Sequence, residues 1–277
     1  TCLMPELPEV ETVTRDLRDT VVGRTITAVR AGVPGVVRHP TRDVFVSSLP
    51  GRCVEDVLRR GKFILCRLHD GSDLIFHLGM TGHIVVCDPS LAPAPHTHMV
   101  ARLDDGRELR FDDARRFGRI LLGPRTLLED ARVLPRLGVE PLSAEFTAAR
   151  LDGLLRSTTR RVKAVLLDQG VVAGLGNIYV DEACHLAGVR PARRADRLTR
   201  AERAALFIAI PTVLAAAIDS RGTTFDDYRD LWNARGRHQE RLQVYGRAGA
   251  PCHRCGLTLR RTVIAGRTTV YCAGCQR

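Results

Sequence analysis

The chain has 277 residues, enough for one large domain or two moderate ones that bury a core without disulfide staples. Lysine and arginine total 42 against 31 acidic residues, a formal net charge of +11. That excess points to a polyanionic partner, nucleic acid ahead of an anionic membrane surface. No basic stretch followed by an apolar run opens the sequence as an export signal does. The longest apolar stretch, Ala204 to Ile218, is interrupted by Pro211 and falls short of the roughly 20 residues a bilayer span needs. It reads as a buried helix, and the expectation is a cytosolic protein without a membrane partner.

In chain order, Glu9 to Val22 places Val10, Val13, Leu17 and Val21 on one helical face, with acidic residues in the first turn and Gly23 as a stop. From Thr25 to about Leu122 the pattern shifts to short β-rich runs: Ile26 to Val29, Cys53 to Leu58, Phe63 to Leu68, Leu74 to Leu78, Ile84 to Val86, Met99 to Leu103 and Leu109 to Phe111. Asp70-Gly71 and Asp105-Gly106 lie between such runs as hairpin turns. Beyond Pro135 helical segments follow at about Ala144 to Leu155, Arg161 to Asp168, Tyr179 to Leu186 and Arg200 to Asp219. The predicted class is α+β: an antiparallel β-sandwich with one long amino-terminal helix over residues 1–135, a helical domain over 141–240, and a separate unit over 241–277.

That last unit holds Cys252-His253-Arg254-Cys255 and Cys272-Ala273-Gly274-Cys275, two Cys-x-x-Cys pairs separated by 16 residues. This is four-thiolate zinc spacing, with the β-rich stretch around Ala265-Gly266 folding back as a hairpin. Four thiolates leave no open coordination position for water, so one structural zinc is expected. Cys53, Cys66, Cys87 and Cys184 are scattered among apolar neighbours and read as small core residues.

Several segments carry a resemblance. They are Pro5-Glu6-Leu7-Pro8-Glu9-Val10-Glu11, Arg60-Gly61-Lys62-Phe63, His77-Leu78-Gly79-Met80-Thr81-Gly82, Asp113-Ala114-Arg115-Arg116-Phe117-Gly118, Gly174-Leu175-Gly176-Asn177-Ile178-Tyr179 and the cysteine finger. In this order, from Met4 to Arg277, the sequence resembles the formamidopyrimidine-DNA glycosylase and endonuclease VIII superfamily, and its opening favours the formamidopyrimidine branch. The resemblance implies a base-excision-repair enzyme that removes 8-oxoguanine and formamidopyrimidines from duplex DNA. It would then cut the backbone by β- and δ-elimination, acting as a monomer with DNA in the cleft between its domains and located at the bacterial nucleoid.

By that resemblance Pro5 is the nucleophile at the sugar C1', because a secondary amine forms an iminium directly. Glu6 handles protons at the sugar and the departing base, Lys62 protonates or contacts the reacting nucleotide, and Arg267 acts at the phosphate near the lesion and in the final elimination. Met80, Arg115 and Phe117 fill the space left by an extruded base. His96, Arg116, Lys163 and Asn177 hold the flanking phosphates, with Arg160 in a basic stripe beside Arg156 and Arg161. Glu9 and Glu11 read as helix-dipole partners only.

Two departures stand out. Thr1 to Met4 precede Pro5, and in that form the Pro5 nitrogen is an amide rather than an amine. The lesion-covering loop, Gly222 to Gln243, carries Asn233-Ala234-Arg235-Gly236-Arg237-His238-Gln239 where family members often have a Gly-Lys-Pro-Gly-Tyr-type stretch. Two alternatives therefore stand: an endonuclease VIII-like enzyme for oxidised pyrimidines, or a non-catalytic damaged-DNA-binding protein if Pro5 is not the free amino terminus.

Overall fold

The computed structural model describes residues 4–32, 35–126 and 134–277. They form two compact units, Thr1–Pro135 with Ser220–Arg237, and Arg136–Asp219 with His238–Arg277.

The first unit opens on α1 (Leu7–Val21), whose stripe of Val10, Val13, Leu17 and Val21 is fully buried. Glu6 is its N-cap in a reciprocal capping box with Glu9, and Gly23 leaves the helix at φ +79°. There follow β1 (Ile26–Ala31), β2 (Val37–His39), α2 (Arg42–Ser48), β3 (Val54–Arg60), β4 (Phe63–Leu68), β5 (Ser72–His77), β6 (Gly82–Cys87), β7 (Thr97–Leu103), β8 (Glu108–Asp113) and β9 (Arg119–Pro124).

Among the described residues these strands make one sheet in the order β1-β7-β8-β6 and a second in the order β2-β9-β5-β4-β3. Both contribute to a core with α1 in which Phe76 stacks on Phe111. The Asp-Gly turns fall where expected, with Gly71 and Gly106 at positive φ between β4 and β5 and between β7 and β8. The sandwich is not wholly antiparallel: β2 pairs with β9 in parallel. The elements β2, α2 and β9 are additions to the sequence reading, and α2 buries only Phe45, too little to make an apolar period.

Segment Ser220–Arg237 returns to this unit after the helices rather than staying with them as the sequence suggested, because Tyr228 and Leu231 complete the core.

The second unit contains α3 (Ala148–Arg156), α4 (Val162–Leu166), α5 (Asn177–Leu186) and α6 (Arg200–Asp219). Helix α6 runs through Pro211 for 20 residues, so by length and composition it could span a bilayer, contrary to the expectation. It packs on α3 and α5 and buries Leu206, Ala209, Ile210, Leu214, Ala217 and Ile218. The unit ends in a hairpin, β10 (Arg260–Ile264) and β11 (Arg267–Tyr271), turned by Ala265 and Gly266, both at positive φ. Of the scattered cysteines, Cys66 and Cys184 are buried, whereas Cys53 and Cys87 are only half-buried.

Candidate active site and nucleic-acid interface

In the first unit Pro5 is buried where the chain enters α1, and Glu6 beside it is 3 % exposed. Glu9 does more than face a helix dipole: its Oε2 accepts from the Glu6 N–H at 2.9 Å and its Oε1 from the Thr223 N–H at 2.7 Å. One buried carboxylate thus ties the amino-terminal turn to the returning segment. Gly222 fits against it because a Cβ there would meet the Glu9 side chain at 2.9 Å.

Glu11 also has a structural task. It accepts from Arg15 and Arg59, both at 2.8 Å, and Arg59 donates onward to the Gly61 carbonyl at 3.0 Å. Burial alone would raise the Glu11 carboxyl, but these arginine bonds hold it below its ordinary value. The chain of contacts orders the β3–β4 turn, in which Gly61 has φ +57° and Lys62 is half-buried. Close to Lys62, the His77 ring packs on Phe63 at 4.8 Å between centroids. Burial pushes His77 down to about 4, with the charges of Lys62 and Arg119 acting in the same direction. The ring is therefore neutral at pH 7, and its Nδ1 accepts from the Gly79 N–H. The sequence reading missed His77, although the residue opens one of the motifs.

Two turns converge on Asp113, which is 1 % exposed. Its Oδ1 accepts from Thr81 Oγ1 and the Arg115 N–H, and its Oδ2 accepts from the Gly118 N–H at 2.7 Å. Met80, Arg115 and Phe117 are thereby brought onto two joined turns. Gly79 is required there: it has φ +62°, and a Cβ would come within 2.6 Å of the Phe117 and Gly118 backbone. Met80 is half-buried, while Phe117 is 49 % exposed beneath the Arg115 guanidinium, 4.9 Å from the ring centroid. Arg116 is exposed at φ +56°, a conformation a non-glycine residue adopts at a cost. His96 is exposed nearby, its carbonyl accepting from the Asp113 N–H.

In the second unit the predicted residues gather at the hairpin. Asn177 is the first residue of α5 rather than its cap, a position held by Gly176. The preceding turn is fixed by the Gln169 side chain, which bonds Gly174 and Leu175. Asn177 Nδ2 and Lys163 Nζ both donate to the Thr268 carbonyl at 3.0 Å, next to exposed Arg267. Lys163 itself is 0 % exposed and pairs with Asp181 at 2.7 Å. It does not lie open to a phosphate as the sequence implied; its charge holds Asp181 and the hairpin instead. Burial pushes Asp181 up to about 6 against the pull of Lys163. Arg160 is exposed and engages Asp168 Oδ2 at 2.9 Å.

Helix α5 supplies two neighbouring anchors. Asp181 Oδ2 accepts from Val270 on β11, and Glu182 accepts from the N–H groups of Gln243, Val244 and Tyr245. The Sγ atoms of Cys252, Cys255, Cys272 and Cys275 lie within 4.8 Å of one another, with Cys255–Cys272 at 3.3 Å and Cys252–Cys275 at 3.9 Å. Tetrahedral zinc with Zn–S near 2.3 Å needs sulfurs about 3.8 Å apart, so the four thiolates fit one structural zinc. Gln276 locks the second knuckle, accepting from the Cys272 N–H and donating to the Val189 carbonyl.

The first unit is thus a β-sandwich bearing the amino-terminal Pro-Glu turn, and the second a helical unit ending in a basic hairpin whose four cysteines fit one zinc. Residues 4–120 match the formamidopyrimidine-DNA glycosylase N-terminal domain, 137–228 the formamidopyrimidine-DNA glycosylase H2TH domain, and 249–277 the zinc finger found in FPG and IleRS. Formamidopyrimidine-DNA glycosylase of Desulforamulus reducens is 44 % identical over 275 residues, 99 % of each chain. That of Symbiobacterium thermophilum is 47 % identical over 279 residues, 99 % of this chain and 89 % of its own. Among solved structures, the MutM (Fpg) protein of Thermus thermophilus has a TM-score of 0.87 and 43 % identity, covering 98 % of both chains. Lactococcus lactis Fpg in complex with abasic-site DNA has a TM-score of 0.90 and 33 % identity, covering 98 % of this chain and 99 % of that one. The chain belongs to the formamidopyrimidine-DNA glycosylase family.

Proposed function

We propose that the protein excises oxidised purines, 8-oxoguanine and formamidopyrimidines, from double-stranded DNA and then cleaves the strand at the abasic site. The observation that carries this reading is the buried Pro5-Glu6 turn, fastened through Glu9 to the returning segment. Similar solved structures of the Lactococcus lactis Fpg hold DNA containing an abasic site or Fapy-dG, in support of the same substrate class.

In the proposed reaction the Pro5 amine attacks C1' of the damaged nucleotide, and the glycosidic bond breaks with its electrons leaving on the base. Glu6 moves protons at the sugar and the leaving base. The C1'–O4' bond then opens, O4' taking a proton, and the Pro5–C1' iminium so formed acidifies C2', so β-elimination releases one phosphate and δ-elimination the other. Lys62 and Arg267 act on the reacting nucleotide and its phosphate. Phe117, Arg115 and Met80 occupy the opened stack, and His96, Arg116 and Asn177 hold the backbone. Lys163 supports this set by fixing the Thr268 carbonyl next to Arg267. The zinc keeps the hairpin folded and takes no part in bond making. A monomer working in the bacterial cytoplasm fits the net charge of +11 and the bacterial relatives.

An acylated proline has its lone pair delocalised into the peptide bond, so the active form must begin at Pro5. The test is borohydride trapping on a duplex with a single 8-oxoguanine, comparing chains that begin at Thr1 and at Pro5, each with and without Lys62→Ala. Trapping of the Pro5 form alone is expected. Trapping of the Thr1 form that disappears with Lys62→Ala would move the nucleophile to Lys62. A parallel series with single oxidised pyrimidines tests the substrate class, since preferential cleavage of those would favour an endonuclease VIII-like activity.

A further inference from the structure

The returning segment is fastened at two ends. At its start, Glu9 receives the Thr223 N–H, and the Tyr228 hydroxyl lies 3.4 Å from the Glu9 carbonyl. Farther along, the carboxylate of Asp230 is buried, the residue being 1 % exposed, and it collects donors on both oxygens. Its Oδ1 accepts from the Trp232 and Ala234 N–H groups at 3.0 and 2.9 Å, and its Oδ2 accepts from Arg221 Nε and Nη2 at 2.8 and 2.6 Å. Its own N–H donates to the Ala234 carbonyl, and His83 Nε2 on β6 lies 2.9 Å from its carbonyl.

Arg221 is held at φ +58°, a strained setting for a non-glycine residue, by ion pairs to Asp230 and to Asp16 on α1. Gly236 closes the loop: a Cβ there would come within 2.2 Å of the Gly222 carbonyl. Trp232 and Arg235 are carried outward on this frame, Trp232 at 59 % exposure. A buried carboxylate paired with arginine and saturated with backbone donors imposes one geometry, because losing any of these bonds strands a buried charge.

We propose that Asp230 is a positioning residue, a latch that holds the 222–236 loop pre-ordered against α1 and β6 so that the extruded base meets a formed surface. The inference rests on the reading given above, in which the Pro5-Glu6 turn, fastened through Glu9 to this segment, acts on the extruded nucleotide.

Trp232 is the sole tryptophan of the chain, two residues from Asp230, so its fluorescence reports the loop directly. In zinc-loaded protein, Asp230→Asn should lower the anisotropy of Trp232 and increase its quenching by iodide. It should also slow single-turnover release of 8-oxoguanine by about tenfold to a hundredfold, the usual cost of an ångström-scale misplacement. Strand cleavage at a preformed abasic site, which has no base to cover, should keep its rate. Asp16→Asn, which removes one of the two carboxylates on Arg221 and leaves the backbone bonds of Asp230 intact, should shift both readouts the same way by less, and it carries the test if Asp230→Asn does not fold.

Unchanged Trp232 mobility in both variants would overturn the latch. A freed Trp232 with unimpaired base release would overturn its role in positioning, and equal losses on the two duplexes would reduce Asp230 to a fold-stabilising residue. Should the unsubstituted protein release no oxidised purine at all, the substrate reading fails, while the fluorescence arm still decides whether Asp230 orders the loop.

Discussion

The two units position polar groups by the same device, a buried carboxylate that collects backbone donors, yet they differ in what surrounds it. Asp113 and Glu9 sit on a core built from α1 and both sheets, in which Phe45, Phe76 and Phe111 are fully buried. The hairpin has a cluster of only Val244, Cys252, Leu259, Val270 and Cys272 among the described residues. Such a small cluster cannot offset the entropy of ordering its chain, so the hairpin depends on the metal and on the two carboxylates of α5.

The sharpest break of this comparison is metal removal. Cys255→Ser, or chelation, should unfold the hairpin, because a structural zinc contributes about 10 kcal/mol or more. Incision should be abolished while most of the far-UV circular dichroism remains, read together with zinc release. Incision surviving metal loss would show that the hairpin holds without it.

Next in size is the buried pair. Lys163→Ala removes the cation that pairs with the fully buried Asp181, leaving its carboxyl with the Val270 N–H alone, and should cost about 3–5 kcal/mol in urea unfolding. Lys163→Met with Asp181→Leu should recover much of that loss in stability, but not the hold on Thr268. Smaller again is Gly79→Ala, which forces a β-carbon onto the Phe117 backbone at positive φ and should cost roughly 1–3 kcal/mol, with the Phe117 turn displaced.

The first unit also carries a pH signature. His77 has its folded value depressed to about 4 by burial, so between about 4 and 6.5 the unfolded chain binds more protons than the folded one. Its contribution is complete above 6.5 and is lost as pH falls toward 4. Urea midpoints at several pH values should show that loss, and His77→Gln should remove this component. The smallest effect on stability belongs to Phe117→Ala. Half-exposed, it should change stability by about 0.5 kcal/mol or less while impairing lesion duplexes selectively. Equal losses on undamaged DNA would place Phe117 in the packing rather than in the stack.

What the sequence made legible was local. The apolar period of α1, the run Phe63–Leu68 and the cysteine spacing match the structure because each is decided within a few neighbouring residues. Helix α2 had no stripe to reveal it, and the Arg119–Pro124 strand is a short apolar run following a motif read only for its side chains. The burial of Lys163 was illegible because its partner is 18 residues away on another helix. The second task of Glu9 depends on Thr223, 214 residues along the chain.

The out-and-back path of the chain has a consequence for biosynthesis. A ribosome delivers α1 and both sheets early, but Tyr228 and Leu231, which seal their core, and Thr223, which satisfies Glu9, emerge only after the whole of α6. A nascent fragment ending before Ser220 therefore holds a buried carboxylate without its later donor and an open edge in its core. The contacts that complete the amino-terminal turn therefore become available only after the whole of α6 has been synthesised.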